Sequence, residues 1–218
     1  MAKPFPDFSL YVITDGRLSR GRPLPFVVEK AIEGGATCVQ LREKEATTGE
    51  LYRWAVELRK LTRDKGIAFI VNDRLDIALA VEADGVHLGE EDLPLLAARR
   101  IMPSHMVLGF SPESPELGLQ AQENGADYLG IGAVFGSVTK ADAGKAIGLE
   151  RLTRICCEVK IPVVGIGGIT AENAGDVIRA GASGVAVVSS VVSASNISAA
   201  AGQIAEKVKR APSEEEEK

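Results

Sequence analysis

The chain has 218 residues, of which 45% are hydrophobic, and a formal net charge of −5. This length allows one large domain or two small ones, and the hydrophobic content is sufficient for a packed core. The net negative charge argues against a nucleic-acid-binding protein, because binding to the phosphate backbone requires a basic surface. An anionic ligand would therefore need local cations or a metal ion.

Short apolar runs alternate with helical patterns along the whole chain. The clearest helix covers residues 48–65, where Leu51, Ala55 and Leu58 recur at three- or four-residue spacing before Gly66 ends the pattern. The predicted strands are 8–15, 36–45, 67–71, 85–88, 106–110, 128–131, 162–165 and 184–188. The predicted helices are 26–33, 48–65, 75–82, 94–101, 115–124, 149–159, 171–180 and 197–209.

Eight strands that alternate with eight helices predict a parallel sheet covered by helices. The segments GGATCVQL, EADGVHL, NGADYLGI and AGASGVAV form a faint internal repeat that places small residues before every second strand. No dinucleotide-binding fingerprint follows the first strand, so a closed α/β (β/α)8 TIM barrel fits better than an open doubly wound sheet. We predict one barrel domain over residues 1–211 and a disordered acidic tail over 212–218.

Acidic residues follow two neighbouring predicted strands. Asn72 and Asp73 come directly after the third strand, and Glu90, Glu91 and Asp92 follow the fourth. The carboxyl ends of neighbouring parallel strands lie at the same edge, so these carboxylates would suit Mg²⁺, with positions left for water and substrate phosphates. A helix cap at Asp73 and a solvated turn at 90–92 explain the same residues, and this stretch alone does not separate the two interpretations.

Cations and small-residue turns follow the other strands. Arg42 and Lys44 in the motif QLREK suit pyrophosphate, although a solvated loop would also account for them. The glycine-rich turn GIGGIT at 165–170 and the segment VVSS at 187–190 resemble the phosphate cup of barrel enzymes, although GIGGIT could simply be a tight turn. Together these elements indicate a ligand that carries several phosphates.

The histidines and cysteines give weaker signals. His87 lies within the fourth strand, where a core histidine with satisfied hydrogen bonds is favoured over a catalytic base. Cys38, Cys156 and Cys157 form no ligand or disulfide pattern, which favours a reducing compartment. The N-terminus does not resemble a signal or transit peptide, and no apolar run reaches membrane-spanning length. We therefore expect a cytoplasmic protein without membrane or nucleic-acid partners.

The motifs QLREK, VNDR, ADGVHLGEEDLP, LGFS, YLGIGAVFGSVTK, VVGIGGIT and GVAVVSS occur in this order and together resemble the thiamine phosphate synthase family. The resemblance extends from the first strand to the eighth. It implies a transferase that joins two small phosphorylated substrates, 4-amino-2-methyl-5-hydroxymethylpyrimidine diphosphate and 4-methyl-5-(2-phosphooxyethyl)thiazole. The products would be thiamine phosphate and pyrophosphate, formed by a Mg²⁺-assisted dissociative substitution. The sequence leaves a homo-oligomeric assembly open.

The resemblance also assigns roles by position. It implies Asp73 and Asp92 as the ligands of one Mg²⁺ ion, and Arg42, Lys44 and Lys140 as the catalytic cations. The residues that would bind the pyrimidine diphosphate are Gln40, Leu41, Arg42, Glu43, Lys44, Asn72, Ser111 and Lys140. The residues that would bind the thiazole phosphate are Ser137, Val138, Thr139, Gly168, Val188 and Ser189.

Three positions depart from the family pattern. Glu113 stands where the family often has histidine, and Gly136 and Ser137 stand where it often has proline and threonine. A carboxylate at 113 would repel a diphosphate unless it faces solvent. The alternatives are a thiazole tautomerase-like relative and a non-catalytic phosphate-binding barrel. The presence of Asp92 and the absence of histidine at 113 disfavour the tautomerase, and the non-catalytic barrel would not need the paired carboxylates together with the cations.

Overall fold

The computed structural model describes residues 5–136 and 146–211. Its strands are β1 (Leu10–Ile13), β2 (Cys38–Leu41), β3 (Ala68–Asn72), β4 (Gly85–Leu88), β5 (Val107–Phe110), β6 (Tyr128–Gly132), β7 (Val163–Ile166) and β8 (Gly184–Val187). Its helices are α1 (Leu24–Glu33), α2 (Thr48–Lys65), α3 (Leu75–Ala80), α4 (Leu95–Ile101), α5 (Pro115–Glu123), α6 (Gly148–Glu158), α7 (Ala174–Arg179), α8 (Ser189–Val192) and α9 (Ile197–Arg210). The predicted tail lies outside the described residues.

The eight strands form a closed parallel barrel in chain order. Tyr11 of β1 shows the closure, because it is in register with Cys38 of β2 on one side and with Ala186 of β8 on the other. The predicted TIM barrel is thus confirmed. In this architecture all eight strands point their carboxyl ends at one face, where the connections to the following helices gather.

Two apolar cores arise from the alternation of side chains along the strands. Residues that point inward fill the barrel, among them Phe8, Tyr11 and Tyr128. Residues that point outward pack beneath the helices, and Leu41 and Val39 of β2 are examples. Every strand except β4 therefore contributes to both cores, and each holds its inward residues in fixed positions below the carboxyl face.

Local sequence signals set the helix boundaries. In α2, the Thr47 side chain accepts a hydrogen bond from the backbone of Glu50, the Glu50 side chain accepts one from the backbone of Thr47, and Gly66 ends the helix with φ +70°. These are a capping box and a left-handed C-cap, and they reproduce the predicted bounds. Most other predicted boundaries are off by one to four residues, and no described helix is long and apolar enough to cross a membrane.

One helix was not predicted. The described part of the chain contains nine helices, because α8, only four residues long, stands between β8 and α9. The prediction of eight helices was therefore wrong at this point. A single turn of helix is too short to show the apolar periodicity that identifies longer helices.

The faint repeat has a physical basis at the amino ends of the strands. The Thr37 hydroxyl accepts a hydrogen bond from the backbone N–H of Leu10 at 3.0 Å. Before β4, the Asp84 carboxylate accepts one from the backbone of Phe69 at 2.8 Å. Asp127 does the same for Leu108 before β6 at 2.7 Å. The polar residue before each of these even-numbered strands thus holds the start of the odd-numbered strand that precedes it.

Candidate active site

The predicted metal carboxylates lie together at the carboxyl face. Asp73 follows β3, and Asp92 lies in the connection between β4 and α4. A side-chain hydrogen bond joins the two carboxyl groups. Burial raises the pKa of Asp73 to about 6, and the charge of Asp92 and the hydrogen bond that protonated Asp73 donates to it act in the same direction. The pair therefore concentrates like charge in a partly buried position.

Backbone geometry fixes both carboxylates. Asp73 has φ +60°, in the left-handed region that non-glycine residues seldom adopt, and its backbone N–H donates to the carbonyl of His87 at 2.8 Å. The backbone N–H of Gly89 donates to Oδ2 of Asp92 at 2.7 Å. A strained residue held by a neighbouring strand is a feature that clusters at functional sites.

Arg42 and Lys44 lie close enough to act on this pair. Both cations lower the pKa of Asp73, against the larger effect of burial. Their side chains form no ion pair with any residue in the described ranges 5–136 and 146–211. Two cations that have no acidic partner within these ranges lie next to two adjacent carboxylates, and an anionic ligand with a metal ion would complete this arrangement.

The donor set fits a hard cation. Residues 5–136 and 146–211 contain no group of three or more His, Cys, Asp or Glu side chains suited to a metal ion. Mg²⁺ is usually held by one or two carboxylates, with waters and substrate phosphates as its remaining ligands. Asp73 and Asp92 supply such a pair, and a cation between them would relieve the repulsion that raises the pKa of Asp73.

The side chains of Leu41 and Glu43 in the QLREK motif are held by other parts of the fold. The Leu41 side chain is fully buried in the core between barrel and helices. The Glu43 carboxylate accepts hydrogen bonds from the Thr14 hydroxyl and from the backbone of Gly16, both at 2.9 Å, and burial raises its pKa. Both side chains therefore have structural partners, and Glu43 ties the loop after β1 to the loop after β2.

Gln40 and Ser111 are joined through residues that sequence reasoning did not assign to the site. Gln40 contacts the hydroxyl of Tyr11, and Ser111 contacts His87, which in turn contacts Tyr128. The expectation of a hydrogen-bonded core histidine agrees with these contacts. Inward alternation of the two tyrosines with their strands was the available signal, together with the glycines inside β5 and β6, since glycine in a strand often marks a close approach.

The turn after β7 is built on glycine. Gly168 has φ +67°, and a Cβ there would lie 2.3 Å from the carbonyl oxygen of Gly136. The Asn173 side-chain amide donates to the Gly168 carbonyl at 3.0 Å. Val188 immediately precedes α8, and Ser189 is the first residue of that helix. Gly168 thus lies against the first residues of the connection that follows β6.

Some of the remaining residues that the sequence singled out are described by the structure, and others are not. Ser137, Val138, Thr139 and Lys140 lie outside the described residues. Asn72 is the last residue of β3 and is partly exposed. Glu113 is exposed, and its backbone N–H donates to the Glu90 carboxylate at 2.6 Å.

Comparison with known proteins gives a consistent result. The family model described as thiamine monophosphate synthase matches residues 10–191. Thiamine-phosphate synthase of Moorella thermoacetica is 52% identical over 206 residues, which cover 94% of this chain and 98% of the relative. The protein of the same name from Chloroflexus aurantiacus is 54% identical over 198 residues, 91% of each chain.

Solved structures share the fold of this chain, and one of them also shares much of its sequence. Thiamine phosphate pyrophosphorylase from Pyrococcus furiosus superposes with a TM-score of 0.87 at 46% identity, covering 94% of this chain and 97% of that one. The structure of 3-hexulose-6-phosphate synthase superposes with a TM-score of 0.67 at 15% identity, covering 91% of this chain and 99% of that one. The second similarity concerns the barrel alone.

Proposed function

The chain belongs to the thiamine monophosphate synthase family, and on that premise we propose that it is a thiamine-phosphate synthase, a transferase of thiamine biosynthesis. It joins 4-amino-2-methyl-5-hydroxymethylpyrimidine diphosphate to 4-methyl-5-(2-phosphooxyethyl)thiazole and releases pyrophosphate. The catalytic unit is one barrel domain over residues 1–211.

One observation carries this proposal beyond the family name. Asp73 and Asp92 share a hydrogen bond beside Arg42 and Lys44, at the face where a TIM barrel places its active site. A phosphate monoester alone would not need two carboxylates next to two cations. A diphosphate with a bound divalent cation would match both sets of charges.

The chain's own residues bind and orient the two substrates. Arg42, Lys44 and Lys140 hold the diphosphate and balance the negative charge that grows on it as the C–O bond breaks. Gln40, Asn72 and Ser111 bind the pyrimidine end. The residues for the thiazole phosphate are Gly168, Val188 and Ser189, with Ser137, Val138 and Thr139. Leu41 and Glu43 contribute through their backbone, because their side chains face other partners.

A divalent cation completes the site. Mg²⁺ would be held by Asp73 and Asp92, and when bound it supplies positive charge next to the leaving pyrophosphate. The protein needs no activated nucleophile, because the ring nitrogen of the thiazole attacks the methylene carbon of the pyrimidine. The aminopyrimidine is electron-rich and can carry positive charge at that methylene, which permits a dissociative reaction.

The direct test is to mix the purified protein with both substrates and Mg²⁺ and to measure thiamine phosphate and pyrophosphate. We expect the two products in equal amounts, and none when either substrate is omitted. Isomerisation of a thiazole phosphate without coupling would support a tautomerase instead. Binding of both substrates without any turnover would identify a non-catalytic barrel.

A further inference from the structure

A continuous chain of hydrogen bonds crosses the interior of the barrel below the site. The Gln40 side-chain amide donates to the Tyr11 hydroxyl at 2.7 Å, and this hydroxyl lies 3.0 Å from that of Tyr128. The Tyr128 hydroxyl lies 3.0 Å from Nδ1 of His87, and Nε2 of His87 lies 2.8 Å from the Ser111 hydroxyl. The chain thus links two residues assigned to the pyrimidine diphosphate.

Glycines in two strands leave room for these side chains. A Cβ at Gly109 would lie 2.2 Å from Cζ of Tyr128 and 2.4 Å from Nδ1 of His87. A Cβ at Gly130 would lie 3.1 Å from Cε1 of His87 and 3.2 Å from the Ser111 hydroxyl. Any other residue at 109 would displace the histidine–tyrosine pair. The two glycines therefore provide the space that the hydrogen-bonded side chains occupy inside the barrel.

The donor and acceptor roles along this series of hydrogen bonds follow from its first member, Gln40. An amide nitrogen can only donate, so the Tyr11 oxygen accepts from Gln40. Within the described residues, Tyr128 is the remaining partner of the Tyr11 hydroxyl, and a buried hydroxyl hydrogen without an acceptor is costly. Tyr11 therefore donates to Tyr128. By the same argument, Tyr128 donates to Nδ1 of His87.

The same donor and acceptor roles extend through His87 to Ser111 at the site. Because Nδ1 of His87 accepts, the hydrogen of the neutral imidazole is on Nε2 and is donated to the oxygen of Ser111. The Ser111 hydrogen is consequently directed away from His87. Burial raises the pKa of both Tyr11 and Tyr128 well above the usual value, which keeps both hydroxyl groups protonated and able to donate.

We infer that Gln40, Tyr11 and Tyr128 hold His87 as its Nε2–H tautomer and thereby present Ser111 as a hydrogen-bond donor to the pyrimidine diphosphate. Tyr11, Tyr128 and His87 are positioning residues, which act on the substrate through Ser111. The part that concerns the substrate rests on the proposed function. The tautomer of His87 does not, and it can be measured in the free protein.

The first experiment is ¹⁵N NMR of the full-length protein labelled at histidine, recorded without substrate. The chain has two histidines, buried His87 and exposed His105, so assignment by a His105→Gln variant is direct. At about pH 8.5 an ordinary histidine is neutral. We expect His87 in the Nε2–H form. A predominant Nδ1–H form would reverse the donor and acceptor roles along the hydrogen bonds. It would overturn the inference, whatever reaction the protein catalyses.

The second experiment separates positioning from simple packing. Tyr128→Phe removes the hydroxyl that donates to Nδ1 of His87 but keeps the ring, and Tyr52→Phe, on the exposed face of α2, is the matched control. We expect Tyr128→Phe to shift the His87 tautomer signal and to lower kcat by roughly five- to tenfold, the value of one neutral hydrogen bond. Tyr52→Phe should change neither quantity.

The third experiment tests whether Ser111 is the point of action. Tyr128→Phe introduced into a Ser111→Ala background should lower kcat no further, because the residue through which it acts is already missing. Additive losses would show that Tyr128 acts by another route and would overturn the assignment. An unchanged His87 tautomer signal in Tyr128→Phe would overturn it independently.

Discussion

Arginine and aspartate side chains occur at both ends of the barrel, but they are paired differently at the two ends. At the amino ends of the strands, Arg59 pairs with Asp84 at 3.0 Å, with side chains only 11% and 6% exposed. At the carboxyl ends, Arg42 and Lys44 have no acidic partner within ion-pair distance among the described residues, and Asp73 lies against another carboxylate. Arg59 and Asp84 balance each other within the chain, whereas we propose that a ligand balances Arg42, Lys44 and the two carboxylates beside them.

The paired end therefore contributes to stability. Arg99 and Asp127 repeat the arrangement before β6, where Asp127 also accepts from the backbone of Leu108. A buried charge that keeps its partner is tolerated, but one that loses it is strongly destabilising. The unpaired end is expected to contribute little to stability and much to catalysis.

The largest effect is expected at the paired end. Arg59→Ala leaves the Asp84 carboxylate buried without its guanidinium and should lower the free energy of unfolding by about 3–5 kcal/mol. Arg63→Ala is the control, because Arg63 lies on the same helix as Arg59 and its pair with Glu82 is exposed, at 58% and 82%. It should cost less than about 1 kcal/mol. Urea denaturation measures both. Equal costs would remove the distinction between buried and exposed pairs.

The second effect is expected at the unpaired end. Asp92→Asn keeps an acceptor for the backbone N–H of Gly89 and removes the charge that repels Asp73. It should lower kcat by ~10²–10³-fold, or about 3–4 kcal/mol, and raise the Mg²⁺ concentration required. Its melting temperature without Mg²⁺ should be equal to or above that of the unmodified protein. A variant that lost both activity and stability would show that Asp92 serves the fold.

The sequence allowed the barrel and part of the site to be predicted, but not the paired charges at the amino end. The bounds of α2 were predicted because Thr47, Glu50 and Gly66 are local signals. The proximity of Asp73 and Asp92 followed from the geometry of parallel strands. The chain from Gln40 to Ser111 was not predicted, because Tyr11 and Tyr128 are 117 residues apart and only the closed barrel makes them neighbours.

Side-chain direction was the other difficulty. QLREK was interpreted as one cluster of ligands, although successive residues of a strand face opposite sides of the sheet. Gln40 points into the barrel, and Leu41 points into the layer beneath the helices. Glu43 lies beyond the strand, and its hydrogen bonds to Thr14 and Gly16 depend on the path of a loop that composition does not reveal.

A smaller effect is expected from glycines at the two ends. Gly168 and Gly66 have similar φ values of +67° and +70°, but a Cβ at Gly66 would meet nothing within 4 Å. Gly168→Ala should raise the KM for the thiazole phosphate by roughly tenfold, because the methyl group collides with the Gly136 carbonyl. Gly66→Ala should cost about 1 kcal/mol of stability and leave KM unchanged. An equal KM change in both would assign the effect to backbone strain.

The smallest effect is expected at Glu113. This residue shows that not every charge at the carboxyl face is expected to belong to the site. Glu113 is exposed, and its backbone N–H donates to the Glu90 carboxylate at 2.6 Å. Repulsion between a solvated carboxylate and a diphosphate is screened by water and salt. Glu113→Gln should therefore change the KM for the pyrimidine diphosphate by less than about twofold, even at low ionic strength. A larger fall in KM that disappeared at high salt would place the carboxylate next to the diphosphate, at the position where the family often carries histidine.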